Sequence, residues 1–86
     1  MAIYKVEWKP SALRDLKRLE GQVVERIIGA VEALASNPFP SGARKLRGSQ
    51  QSYRVRVGDY RVVYEVVQSR LLIYIVHARH RKDAYR

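Results

Sequence analysis

The sequence predicts an α+β domain of order β-α-α-β-β-β, in which a helical hairpin packs on one face of a small, mostly antiparallel sheet. The opening residues alternate between apolar and charged side chains, as in a half-buried strand. Two apolar stripes at helical spacing follow, and three alternating runs joined by short turns complete the chain. With 86 residues, 47% of them hydrophobic, we expect a single globular domain over residues 1–86.

The first strand is expected at about residues 3–8, where apolar and charged residues alternate. Pro10 suits the first turn of a helix, with Ser11 near its cap. Gly21 is expected to end this first helix, because glycine is favoured just beyond helix C-termini. The expected apolar face of the helix consists of Leu13, Leu16 and Leu19.

A second amphipathic helix follows and is expected to end at Asn37, because the residue before a proline avoids the helical conformation. Residues 37–45 contain two prolines and a glycine and are expected to form a loop. The apolar stripe of this helix consists of Val23, Val24, Ile27, Ile28, Val31 and Leu34.

Three further strands are expected at about residues 53–57, 60–67 and 71–78, with residues 68–70 as the last turn. Gly58 and Asp59 form a two-residue hairpin turn with glycine first, which favours type II′. That turn would place Arg56 opposite Arg61, and cross-strand partners share a face. The expected core face is Tyr53, Val55, Val57, Tyr60, Val62, Tyr64 and Val66, packed against Leu16, Leu19, Ile27, Ile28 and Val31. The other face would carry Arg54, Arg56, Arg61, Val63 and Glu65.

The charge of the chain indicates an anionic partner. Lys plus Arg is 17 and Asp plus Glu is 8, and residues 44–86 hold 11 of the basic side chains but only 3 of the acidic ones. Arginines directly opposite one another destabilise a sheet, whereas a phosphate ligand would favour them, because the guanidinium donates paired hydrogen bonds. The alternative is a solvated face, or an Arg61–Glu65 ion pair.

The C-terminal residues 77–86 add a second cluster of two histidines, three arginines, a lysine and a tyrosine. His80 is a candidate general acid or base near neutral pH, or a bystander in a basic tail. Tyr85 could stack on a base or pack on a neighbouring strand. Together these groups suit metal-free cleavage of RNA, whose 2′-hydroxyl is its own nucleophile.

Several other classes of protein are not expected. The chain has no Cys, its histidines lack a carboxylate at metal-ligand spacing, and no phosphate-binding or dinucleotide-binding motif occurs. We therefore expect neither metal nor cofactor. No stretch is long and apolar enough for a membrane span or a signal peptide, so we expect a cytoplasmic protein with no membrane partner.

Four segments together resemble the RelE branch of the RelE/ParE toxin superfamily: residues 10–19, 45–48, 53–66 and 80–86. The resemblance implies a toxin of a type II toxin–antitoxin pair that cleaves mRNA in the ribosomal A site without metal. The products would be a 2′,3′-cyclic phosphate and a 5′-hydroxyl. The implied partners are the ribosome, mRNA and an acidic RelB-like antitoxin, with which the toxin would form a hetero-oligomer.

The resemblance also implies roles for individual residues. Arg54 and Arg56 fall where RelE-like toxins have two basic residues on one strand, and Arg61 matches the arginine after the turn. Arg81 matches the tail arginine that protonates the leaving group, and Tyr85 matches the tyrosine that stacks on or orients the nucleotide. The other residues expected to bind RNA are Lys45, Arg47, Arg79, Lys82 and Arg86.

One departure concerns the general base, which in the best-known members is a lysine at the position of Arg54. A guanidinium is effectively always protonated and is a poor proton acceptor. Either His80, His77 or Tyr85 takes the role, or charge stabilisation and ribosomal geometry suffice, or cleavage is slow. Two alternatives remain: a ParE-like toxin that inhibits DNA gyrase, and an inactive homologue that only binds its antitoxin. The presence of Arg81 and Tyr85 favours the RelE branch.

Overall fold

The computed structural model describes residues 3–82 and places two helices on one face of a five-stranded sheet, which confirms the expected fold class. The strand order is β1-β5-β4-β3-β2. The elements are β1 (Lys5–Trp8), α1 (Pro10–Lys17), α2 (Gly21–Ser36), β2 (Arg44–Lys45), β3 (Ser52–Val57), β4 (Tyr60–Val67), a 3₁₀ turn (Gln68–Arg70) and β5 (Leu72–His80). Within residues 3–82, neither helix combines the length and apolar character that crossing a bilayer requires.

The sheet is antiparallel except at β1, which pairs in parallel with β5. The two helices provide the crossover that a parallel pair needs. Strand β5 therefore lies between β1 and β4 as far as Ile75. From residue 76 onward, β4 is its only neighbouring strand within residues 3–82. Strand β5 also extends to His80, two residues past the expected end.

One local expectation for the helices was wrong. Gly21 does not end α1: that helix ends at Lys17, and Gly21 is the first residue of α2. Ser11 lies near the cap, as expected, two residues after the capping residue Lys9. The Ser11 hydroxyl donates a 2.6 Å hydrogen bond to the carbonyl oxygen of Val76, which ties the helix to β5.

The loop expected over residues 37–45 contains a short strand at its end. In β2, Arg44 lies opposite Arg54 and Lys45 opposite Tyr53. Two consecutive charged residues show no apolar alternation, so the sequence gives no sign of this strand. The predicted end of α2 is confirmed, since Asn37 is its C-cap.

The predicted register of the β3–β4 hairpin is confirmed, including Val57 opposite Tyr60 and Arg56 opposite Arg61. Gly58 has a φ of 61°, while Asp59 stays at negative φ, which is the pattern of a type II′ turn. A β-carbon at Gly58 would lie 2.8 Å from the guanidinium of Arg26 on α2. Both backbone conformation and space therefore favour glycine at this turn.

The core lies between the helices and the predicted face of the sheet. Its buried apolar residues are Ala12, Ile27, Val31, Leu34, Val62, Tyr64, Val66, Leu72, Ile73, Ile75 and Ala78. Leu16 and Leu19 pack against it, as expected. Ile28, however, is 38% exposed and Leu13 is 47% exposed. Each follows a buried residue of its helix directly. Successive residues of a helix are rotated by about 100° around its axis, so the side chains of Leu13 and Ile28 turn towards solvent.

Tyr64 sits at the centre of an aromatic group beside the 37–45 segment. Its hydroxyl donates a 2.7 Å hydrogen bond to the carbonyl oxygen of Pro38. Its ring stacks on Tyr53 at 5.9 Å, and Tyr53 in turn meets Phe39 edge-on at 5.0 Å. Burial, with a smaller contribution from Tyr53, raises the pKa of Tyr64 to about 12. This tyrosine is therefore neutral at any physiological pH.

Candidate functional site

Three arginines occupy aligned positions on adjacent strands, on the face of the sheet opposite to the helices. Arg56 on β3 is opposite Arg61 on β4, and Arg61 is opposite Arg79 on β5. Adjacent strands are about 4.8 Å apart, so these three residues span about 10 Å. We call Arg56, Arg61 and Arg79 the arginine row.

A second row runs parallel to the first, two residues along each strand. Arg54 on β3 is opposite Val63 on β4, and Val63 is opposite His77 on β5. Arg44 on β2 extends this row at its other end, since it pairs with Arg54. Arg44 was not among the expected site residues, because the strand that carries it was not predicted. The face thus contains the arginine row and, beside it, a second row in which Val63 separates Arg54 from His77.

Two members of the arginine row, Arg56 and Arg61, line a pocket beside the β3–β4 turn. The pocket has a volume of about 250 Å³ and is lined by Arg56, Tyr60, Arg61, Arg81 and Lys82. The backbone N–H of Arg81 donates a 2.8 Å hydrogen bond to the carbonyl oxygen of Asp59, which fixes the end of β5 beside the turn. Four cationic side chains therefore converge on one pocket large enough for a phosphate group.

Arg56 is oriented by the turn next to it. Its Nε donates a 2.7 Å hydrogen bond to the carbonyl oxygen of Gly58, and its guanidinium is 4.0 Å from the carboxylate of Asp59. Both members of this ion pair are well exposed, so water screens the attraction. Glu65, the acid on the same face of β4, is paired with Lys9 at 3.2 Å.

Helix α1 covers the edge of β5 beyond the end of β1. The N–H of Lys9 donates to the carbonyl oxygen of Ile75 at 2.9 Å, and the N–H of Ala78 donates to the Oδ2 atom of Asp15 at 3.1 Å. The backbone of the N-cap residue and a side chain of the helix thus satisfy backbone groups that a sheet edge would otherwise expose. Asp15 is a buried acid at this edge.

The carboxylate of Asp15 also holds two side chains of β5. The Nδ1 atom of His77 lies 3.1 Å from Oδ2, and the Nε atom of Arg79 lies 3.3 Å from the same oxygen. Burial, the largest single influence, raises the pKa of Asp15. The hydrogen bonds from Ala78 and His77 and the charge of Arg79 together outweigh it, so the pKa lies below its usual value. Asp15 is therefore ionised at neutral pH.

Asp15 is a second candidate, besides Arg44, that was not expected from the sequence. It lies three residues after buried Ala12 and one before Leu16, and is thus an acid within the apolar stripe of α1. An acid at a core-facing position implies a buried partner, because an unpaired buried charge is strongly unfavourable. That position in the stripe is the signal from which Asp15 could have been found.

His80 does not join the arginine row. It lies opposite Tyr60 on the face that carries the core, and the two rings meet edge-on at 5.2 Å. Lys45 lies opposite Tyr53 and so belongs to that same face, while Arg47 is exposed in the loop after β2. The remaining candidates, Tyr85 and Arg86, fall outside the described residues.

No group of three or more His, Asp or Glu side chains is arranged to hold a metal ion within residues 3–82. The arrangement that the sheet does provide is a set of guanidinium groups on one exposed face, with one histidine and one buried carboxylate at its edge. Chemically, this suits the binding of a phosphate and the stabilisation of added negative charge on it.

Comparison with known proteins identifies the same toxin group. The family model described as "ParE toxin of type II toxin-antitoxin system, parDE" matches residues 6–85. A putative toxin RelE1 of Methanocaldococcus jannaschii is 34% identical over 86 residues, which cover 96% of this chain and 96% of that protein.

Two solved complexes contain chains with this fold. The archaeal RelE–RelB complex from Pyrococcus horikoshii OT3 includes a chain that is 29% identical, with a TM-score of 0.81 over 94% of this chain and 97% of that one. The RelB–RelE complex from Methanococcus jannaschii gives 28% identity and a TM-score of 0.74, over 91% and 93% of the respective chains. The chain therefore belongs to the RelE/ParE superfamily of toxins, as a RelE-like member.

Proposed function

We propose that this chain is the toxin of a type II toxin–antitoxin system and acts as a metal-free endoribonuclease on mRNA in the ribosomal A site. The observation that carries the proposal is the arginine row, two members of which, Arg56 and Arg61, line a pocket together with Arg81 and Lys82. Like charges on adjacent strands destabilise a fold, so their alignment is explained best by an anionic ligand.

The proposed reaction uses the nucleophile that RNA itself carries. The 2′-hydroxyl attacks the adjacent phosphorus, and the products are a 2′,3′-cyclic phosphate and a 5′-hydroxyl. The arginine row and Arg54 stabilise the charge that accumulates on the pentavalent phosphate. Arg81 protonates the departing 5′-oxygen or neutralises its charge, and Tyr85 stacks on a base. The ribosome would supply the orientation of the mRNA.

The proposal is tested by programming ribosomes with a defined mRNA, adding the purified toxin and mapping breaks by primer extension. We expect breaks within the A-site codon and cyclic phosphate ends on the upstream fragments. Arg61→Ala should abolish the breaks, whereas Arg70→Ala, an exposed change in the 3₁₀ turn, should not. Intact mRNA with the wild-type toxin would overturn the assignment.

A second candidate function is inhibition of DNA gyrase, the activity expected of a ParE-like toxin, and its support is that the matching family model is described as a ParE toxin. In that case the basic face would bind an acidic surface of the enzyme or its DNA rather than mRNA. A gyrase supercoiling assay with the same protein preparation distinguishes the two. Inhibition of supercoiling together with intact mRNA would favour the second candidate.

The proposed partner that silences the toxin is an acidic antitoxin. The two solved relatives described above are complexes with RelB. The sheet face that carries the arginine row is strongly basic, whereas α1 and α2 expose apolar side chains such as Leu13 and Ile28. A segment that folds on binding could cover the helices with apolar residues and the arginine row with acids. The toxin and antitoxin would then form a hetero-oligomer.

A further inference from the structure

We propose that His77 is the general base of the RNA cleavage and that Asp15 is the residue that positions it. The inference rests on the proposed function and assigns the one role that Arg54, which cannot accept a proton, leaves unfilled. It is drawn from the contacts of the two histidines, from the register of β5 and from the burial of Asp15.

His77 lies on the same face as the arginine row. It is opposite Val63 and two residues from Arg79 on β5, which makes it the diagonal neighbour of Arg61. Diagonal neighbours in an antiparallel pair are about 7–8 Å apart, within the length of one nucleotide. The side chain is 32% exposed, so a substrate on this face can reach it.

The contact with Asp15 determines which ring nitrogen of His77 can accept a proton. An ionised carboxylate only accepts hydrogen bonds, so the 3.1 Å contact must be donated by Nδ1–H of His77. In the neutral ring, Nε2 on the other side then carries an unshared electron pair. That is the tautomer a general base requires, and it is fixed here as a buried aspartate fixes a catalytic histidine in hydrolases.

In His80 the roles of the two ring nitrogens are reversed. Its Nδ1 accepts a 3.2 Å hydrogen bond from the backbone N–H of Lys82, so in the neutral ring the proton resides on Nε2. His80 also packs against Tyr60 on the helix-side face of the sheet. Of the two histidines, His77 therefore has both the tautomer and the location of a base for RNA on the arginine row.

Asp15 can position His77 because it is itself held firmly. It is buried at the sheet edge, and the backbone N–H of Ala78 and the guanidinium of Arg79 hold the same oxygen that His77 contacts. The charged groups around His77 are Asp15 from α1, Arg79 from its own strand and Arg61 from β4, with Arg54 one strand further. Asp15 stabilises the imidazolium that forms during the reaction.

In the proposed step, His77 accepts one proton from the RNA and later returns it. Nε2 of His77 takes the proton of the 2′-hydroxyl as the 2′-oxygen forms its bond to phosphorus. The bond from phosphorus to the 5′-oxygen breaks, Arg81 stabilises the negative charge on the 5′-oxygen, and that oxygen takes a proton from water. The imidazolium of His77 then returns its proton and neutralises the hydroxide that remains, so the enzyme ends in its starting state.

The test is the pH dependence of single-turnover cleavage on mRNA-programmed ribosomes. For the wild-type toxin, the rate should rise with pH through the range in which histidines titrate and then level off. In His77→Gln that rising limb should disappear, and the rate on the plateau should fall about 10²- to 10⁴-fold, the usual contribution of a general base. Free imidazole should partly restore cleavage by His77→Ala.

Two further variants separate the base from structural effects. His80→Gln should retain the rising limb, whatever it does to the plateau. Asp15→Asn keeps an acceptor for the Ala78 N–H but not the negative charge, so the limb should move to lower pH. A purely structural role of Asp15 would lower the rate without moving the limb, and that result would overturn the role given to it.

The outcomes distinguish this inference from the proposed function. Suppose that the wild type cleaves mRNA, but His77→Gln keeps the rising limb of the pH–rate profile or His80→Gln loses it. Either result would overturn the assignment of His77 as the base and leave the nuclease proposal intact. Absence of cleavage by the wild type would overturn both. Circular dichroism of each variant establishes that it is folded, and the imidazole experiment supplies a second test if His77→Gln is not.

Discussion

Arg61 and Arg79 lie directly opposite each other on adjacent antiparallel strands, and Arg79 is held by the buried carboxylate of Asp15. One carboxylate thus offsets part of the repulsion within the arginine row and fixes the guanidinium at its end. The row is therefore built from the helix layer as well as from the sheet, because Asp15 belongs to α1.

The first prediction concerns Arg61, the central member of the row. Arg61→Ala should abolish toxicity, because it removes the guanidinium between Arg56 and Arg79. The free energy of unfolding should change by less than about 1 kcal/mol, since the side chain is outside the core and like charges flank it. Growth after induction and urea unfolding measure the two effects. Full toxicity at matched expression would refute the proposed site.

The second prediction compares two adjacent isoleucines of α2. Ile27 is 0% exposed and Ile28 is 38% exposed. Ile27→Ala should lower the free energy of unfolding by about 2–5 kcal/mol, the cost of a cavity in a packed core. Ile28→Ala should lower it by less than about 1 kcal/mol. Equal losses in urea unfolding would contradict the packing described for α2.

The third prediction follows from the pKa of about 12 for Tyr64. An unfolded tyrosine ionises at about pH 10, so between about pH 10 and 12 the unfolded chain loses this proton while the folded chain keeps it. The free energy of unfolding should therefore fall as pH rises, by about 3 kcal/mol over those two units. Below about pH 10 this contribution is fully present.

Tyr64→Phe tests whether the hydroxyl of Tyr64 causes this loss of stability at alkaline pH. At neutral pH it should be less stable than the wild type by about 0.5–1.5 kcal/mol, because the hydrogen bond to the Pro38 carbonyl is lost. The two stabilities should converge as pH rises above about 10 and cross before about pH 12, where the wild type should be the less stable protein. Tyr74→Phe, on the opposite face, is the matched control and should keep the alkaline loss. Parallel curves for Tyr64→Phe and the wild type would contradict the prediction.

Sequence patterns predicted those parts of the structure that local rules determine. The Gly58-Asp59 turn set the register of β3 and β4, and the register placed Arg56 opposite Arg61. The parallel pairing of β1 with β5 was not predicted, because it depends on contacts between the two ends of the chain. Gly21 was misassigned because glycine is common at helix C-termini, whereas here it opens the next helix.

The candidate site was predicted only in part for the same reason. Alternation along β3 and β4 places Arg54, Arg56 and Arg61 on one face. Arg79 joins them through the pairing of β4 with β5, and Asp15 reaches His77 only because α1 lies along the open edge of β5. The contact between Asp15 and His77 joins residues 62 positions apart in the chain, and no local pattern specifies it.

The last prediction concerns association with the proposed acidic antitoxin. The arginine row, Arg81 and Lys82 form a positive surface that would attract an acidic segment before contact, and salt screens such attraction. The screening length falls from about 10 Å at 0.1 M salt to 3 Å at 1 M, so the association rate should fall steeply over this range. The dissociation rate should change less, because the apolar contact along the helices persists in salt.

Stopped-flow measurements with labelled antitoxin give both rates. Arg61→Ala and Lys82→Ala should each reduce the salt dependence of association, because each removes one charge from the surface. Leu13→Ala removes an exposed apolar side chain of α1 that the antitoxin would cover. It should instead raise the dissociation rate and leave the salt dependence of association unchanged. An association rate that does not vary with salt, or an antitoxin whose binding segment is net basic, would refute electrostatic steering while leaving the nuclease proposal intact.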